Sequence, residues 1–187
     1  METMLDPNKK IPGLNGVAVG NFWSWAFSDI LINTNRAIFA EFLVGMALNA
    51  INSPRREWDN VDLYYCNKAI EVKCSAYLQS WDQKALSPIK YDICVKQQGD
   101  AACLNKIDVD DPIRAADCYV FCLYKEKDKN KADILDTHLW EFYVMPTSEI
   151  NKIFPTQKSI SLSVLQKHCK PVAYQNLKET IDYILGL

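Results

Sequence analysis

Hydrophobic residues recur at helical spacing in some stretches of this chain and at strand spacing in others, and the changes of period mark its elements. Residues 1–20 carry Pro, Gly and Asn without a period and read as an irregular arm. Residues 21–32 concentrate Phe22, Trp23, Trp25 and Phe27. A short helix is expected there, its aromatics packing the core rather than stacking unpaired bases. Thr34 or Asn35 can cap a helix running to about residue 51. At about 100° per residue, Ala37, Glu41 and Gly45 share a column, while Phe39, Phe42, Leu43, Met46 and Ala47 cover most of the remaining circumference. This helix is therefore expected to be buried nearly all round. Residues 61–65 and 69–75 are β-branched or aromatic runs around the turn-prone Asn67-Lys68, the pattern of a β-hairpin. Further strands are expected at 89–96, 116–124 and 139–145. The run 116–124 is continuously apolar, as in a strand covered on both faces. From residue 146 the pattern turns helical: Thr147-Ser148-Glu149 opens a helix to 154, a short strand follows at 160–163, and an amphipathic helix occupies 173–185.

Length and composition bound what these elements can build. At 187 residues, 49% of them hydrophobic, the chain suffices for one globular domain with a real core. It divides into the arm 1–20, a core 21–146 and a helical segment 147–187. The longest apolar stretch, 37–47, is interrupted by Glu41 and falls short of the roughly 18 residues of a membrane span. The N-terminus lacks the order of a secretory signal. The seven cysteines form no Cys-x-x-Cys pair and several fall inside strands, which suits small buried hydrophobes in a reduced, cytoplasmic protein. Cys118, Cys122, His138, His168 and Cys169 lack the paired spacing of a zinc site, and Asp108, Asp110 and Asp111 lack the glycine and terminal glutamate of a calcium loop. A net charge of −2 provides no global basic footprint for nucleic acid. That counts against a DNA coat protein but not against a nuclease, whose metal supplies local positive charge.

The candidate chemistry lies in residues 59–73. A two-residue loop at Cys66-Asn67 opposes Asp62 to Glu71, and one at Asn67-Lys68 opposes Asp62 to Lys73. In either register Asp62, Glu71 and Lys73 fall on one side, because residues two apart share a face. Opposed carboxylates repel unless a cation lies between them, and magnesium is held by one or two carboxylates completed by phosphate and water. Ser75 continues the parity of Glu71 and Lys73, Gln79 follows shortly after, and Asp59 is assigned to turn formation. On the preceding helix Glu41 is a carboxylate in an apolar setting and requires a partner. That partner is either an arginine, Arg36, Arg55 or Arg56, or the same metal site.

Asp62 followed by Glu71-Val72-Lys73 on the next strand resembles the motif of the PD-(D/E)xK, restriction-endonuclease-like, nuclease superfamily, with Val61 in place of the motif's proline. The stretch from Asn35 to Glu41 resembles the superfamily helix that directs a glutamate at the same site. Phe22-Trp23-Ser24-Trp25, the run from Ile70 to Trp81, and the run from Leu139 to Pro146 look like an uncharacterised bacterial family within it. The resemblance implies an α/β three-layer core with a central mixed sheet flanked by helices. It also implies a nuclease that hydrolyses DNA with Mg2+ or Mn2+. Asp62, Glu71, the Val72 carbonyl and Glu41 would hold the metal, Lys73 would orient water and stabilise phosphate charge, and Ser75 and Gln79 would touch substrate. DNA rather than RNA is the expected partner, with a homodimer also considered and no membrane. The alternative is a non-catalytic nucleic-acid-binding or assembly subunit that keeps the nuclease fold.

Overall fold

The computed structural model describes residues 3–57, 59–95 and 114–187. In chain order the elements are α1 (Val19–Phe27), α2 (Asn33–Ala47), β1 (Leu63–Tyr65), β2 (Lys68–Ala76), β3 (Lys90–Asp92), β4 (Cys118–Tyr124), β5 (Trp140–Pro146), α3 (Thr147–Ile153), β6 (Ser159–Ser161), α4 (Leu162–Leu165) and α5 (Leu177–Leu185). The polar excursion at 99–112 lies outside the described residues, as does the end of the strand expected at 89–96.

The protein is α/β, with a four-stranded mixed sheet in the order β1-β2-β4-β5. The hairpin β1-β2 is antiparallel, β2 runs parallel to β4, and β4 is antiparallel to β5. Its turn is the two-residue Cys66-Asn67, both residues at positive φ (48° and 61°). That is the type I′ geometry, whose twist matches the strands it joins. Of the two registers open to the sequence, this turn selects the one with Tyr65 opposite Lys68 and Leu63 opposite Ile70.

Parity then assigns the faces. Even-numbered residues of the sheet, among them Ile70, Val72, Val120, Cys122, Trp140 and Phe142, pack under Ala40, Leu43 and Val44 of α2 and Leu177 and Ile181 of α5. Odd-numbered residues of β4 and β5, Tyr119, Phe121, Leu123, Tyr143 and Met145, pack on a second layer. Tyr91, Ile150, Ile160 and Leu165 of β3, α3, β6 and α4 form that layer. Among the described residues β3 pairs with β6 alone, in a separate two-stranded sheet. All seven residues of β4 are buried, as their continuous apolar run requires.

Two expectations about the helices need correction. α2 is not buried all round: Phe42 and Met46, one turn apart, are about half exposed, and Arg36 is buried instead. α1 contributes no buried residue, and Trp25 is 84% exposed. Successive helical steps send Phe22, Trp23, Trp25 and Phe27 in different directions, so aromatic density alone does not create a core face. Gly20 brings α1 against the arm, where a Cβ would lie 3.1 Å from the Pro7 carbonyl oxygen. Among the described residues no helix is long and apolar enough to cross a membrane.

Candidate functional site

The hairpin register places Asp62 opposite Glu71, one step beyond the last paired residue of β1. If the ladder continued, the Val72 N–H would donate to a carbonyl of that strand. It donates instead to Asp62 Oδ2, at 2.7 Å. Asp62 therefore ends the ladder with its own side chain and lies along the sheet edge, between the two faces. The carbonyl of Val72 points toward the same edge, since N–H and C=O of one strand residue share a side.

Glu71 and Lys73 lie on the odd face, beside Tyr119 and Phe121 of β4. Glu71 is buried and accepts a hydrogen bond from Lys73 Nζ at 2.6 Å. Burial alone would lower the Lys73 pKa, but the carboxylates of Glu71, Asp62 and Asp92 outweigh it and hold the ammonium above its usual range. Asp92, on β3, is a contribution that sequence could not supply, because a different sheet brings it to this face. Asp62 has a raised pKa as well. Burial first, and the Glu71 carboxylate second, push its pKa up from 3.8 to about 6, with Glu41 adding to the rise and the Val72 N–H opposing it.

Glu41 approaches from the helix side. Gly45, one turn further along α2, permits this close packing: a Cβ there would lie 2.6 Å from Ile51 Cγ1 and 3.5 Å from Leu63 Cδ2. Between α2, the linker after it and β1 opens a cleft of about 520 Å³, with Glu41 and Asp62 among its lining residues. Glu41 is buried and takes a two-pronged contact from Arg55, Nε to Oε2 at 2.5 Å and Nη2 to Oε1 at 2.8 Å. Of the three arginines open to it in sequence, only Arg55 on the linker makes this pair. Arg36 donates to the Leu31 carbonyl, Asn33 and Gln79.

Among the described residues no group of three or more His, Cys, Asp or Glu side chains is placed to hold a metal ion. Asp62, Glu71 and the Val72 carbonyl are the hairpin oxygens that could hold an ion, with phosphate and water supplying the remaining ligands. Glu41 is drawn to the cleft but held by Arg55. Ser75 is half-buried on the Glu71 and Lys73 face. Gln79 is buried in a different network: its amide bonds Arg36, the Ala76 carbonyl and Ser87. Asp59 accepts from the Asn60 N–H at 2.8 Å, as a turn residue does, and also lines the cleft. His168 packs edge-to-face on Phe154. No protein-family model matches the chain, and no curated protein matches it.

Proposed function

We propose that the chain is a Mg2+- or Mn2+-dependent nuclease hydrolysing phosphodiester bonds of DNA on a restriction-endonuclease-like core. The observation that carries this reading is the hairpin itself: a buried Glu71 opposite Asp62, with Lys73 on the same face as Glu71 and 2.6 Å from it. Burial first and the Glu71 carboxylate second raise the Asp62 pKa, and a divalent cation would offset both. Asp62, Glu71 and the Val72 carbonyl would hold the ion. Bound there, it would supply neutralisation of phosphate charge and a more acidic water.

The remaining work falls to the chain's own groups. Lys73 stays protonated, so it acts as a cation and hydrogen-bond donor to a phosphate oxygen or to the attacking water, not as a base. Ser75, two residues further along the same face, would donate to the substrate. Glu41 acts at the cleft wall through its effect on Asp62, and Arg55 determines how much of its charge is felt there. Gln79, enclosed in its network, supports the loop after β2. The free thiols among the described residues suit a reducing compartment such as the cytoplasm.

One observation favours the second reading, a nucleic-acid-binding or assembly subunit without turnover: Glu41 and Glu71 each already have a cationic partner within the protein. Cleavage assays decide between the two. Single- and double-stranded DNA are incubated with magnesium or manganese, with chelator as control, using wild type, Lys73→Ala and Glu71→Ala. The nuclease reading expects metal-dependent products from wild type that both substitutions abolish. No cleavage of any DNA form, or equal cleavage by Lys73→Ala, would overturn it.

A further inference from the structure

The cleft beside Asp62 has walls unlike those of a duplex-binding groove. Ile38, Phe42, Ile51 and Leu63 make it largely apolar, and Tyr64 stands at its side. Phe42 and Tyr64 are 46% and 58% exposed, so their rings are available to a ligand rather than consumed by the core. The charged lining has an excess of acid: two arginines, Arg55 and Arg56, stand against three carboxylates, Glu41, Asp59 and Asp62. A surface that grips duplex phosphates requires an excess of lysine and arginine, and neither this lining nor the net charge of −2 provides one. A concave, apolar volume of about 520 Å³ with a few polar groups instead has the size and character of a small-molecule pocket.

We propose that this cleft is a subsite for one unpaired nucleobase, stacked against Phe42 or Tyr64, whose attached phosphate lies at Asp62. The substrate class is then single-stranded DNA, an overhang or a frayed end, rather than an intact duplex. Bases in a duplex are already stacked and cannot enter a concavity, whereas every unpaired base offers a planar face to an aromatic ring. The carboxylate of Asp59 can accept hydrogen bonds from base amino groups, and Arg56, exposed at the rim, can meet the sugar-phosphate chain. The inference rests on the nuclease reading in one respect only, the position given to the phosphate.

The test is a binding measurement in the presence of chelator, so that turnover plays no part. A short single-stranded oligodeoxynucleotide carrying a fluorescent adenine analogue is titrated with wild type, Phe42→Ala and Tyr64→Ala, with Trp81→Ala as an exposed aromatic control. A blunt duplex of the same sequence is the competitor. Both target rings are exposed, so the variants should fold, which thermal melts will verify. The expected result is tighter binding of the single strand than of the duplex, weakened about 5- to 100-fold by Phe42→Ala, Tyr64→Ala or both, and unchanged by Trp81→Ala. Equal affinity for strand and duplex would overturn the proposal. Single-strand binding unaffected by both cleft variants would do the same. Loss of the base subsite alongside metal-dependent cleavage would leave the nuclease reading standing, and stacking without cleavage would leave the subsite standing.

Discussion

Replacing Glu41 by glutamine separates the two roles open to this carboxylate. The change conserves shape and one acceptor oxygen, removes the charge, and turns an amide N–H2 toward Arg55. Stripping one partner from a fully buried ion pair costs about 3–5 kcal/mol. This pair is asymmetric: the Glu41 side chain is 11% exposed and that of Arg55 37%. Arg55 can therefore turn into solvent and recover much of its hydration, leaving chiefly the loss of one charge-assisted hydrogen bond, about 1.5–3 kcal/mol. Against this stands relief at Asp62, which Glu41 helps to push up. The metal-free protein should lose about 1–2 kcal/mol. Urea melts of wild type, Glu41→Gln, Arg55→Met and the double variant would measure the loss and the coupling between the two residues. In cleavage assays with magnesium, Glu41→Gln should be slower by roughly 100-fold if the carboxylate serves the site. A stability loss above about 3 kcal/mol would refute the argument that Arg55 can rehydrate, and undiminished cleavage would remove Glu41 from the site.

Manganese should bind weakly without nucleic acid, because two carboxylates and a carbonyl leave much of the coordination to water and phosphate. Calorimetry on wild type and Glu71→Ala checks this, and equal binding would place the metal elsewhere. The raised Asp62 pKa means that the native state holds a proton more tightly than the unfolded chain. Metal-free stability should thus fall as pH rises through the interval from 3.8 to about 6, by at most about 3 kcal/mol. Asp62→Asn keeps an acceptor for the Val72 N–H and should abolish that portion of the pH dependence, as read from melts across the interval. Gly45→Ala gains helix propensity but drives a methyl into Ile51. A net loss of about 1 kcal/mol is expected in urea melts, and a gain would show that Ile51 can turn aside.

Much of the hairpin and the sheet was legible in the residues alone. Alternation in β2 puts Glu71, Lys73 and Ser75 on one face whatever the fold, because side-chain parity is a property of the extended backbone. The unbroken apolar run of β4 required a covered strand for the same kind of local reason. Sequence also narrowed the register to two possibilities, and it marked Glu41 as a buried carboxylate in need of a partner.

The choices among those possibilities belonged to the tertiary structure. Twist matching selected the Cys66-Asn67 turn and so set Asp62 opposite Glu71. The parallel pairing of β2 with β4, and the placement of β3 in a second sheet that brings Asp92 toward Lys73, depend on contacts distant in sequence. Arg55 rather than Arg36 meets Glu41 because the linker folds back over α2, which no periodicity encodes. The aromatics of α1 stayed outside for the converse reason: hydrophobic side chains are buried only where another element arrives to cover them, and whether one arrives is decided by the whole chain.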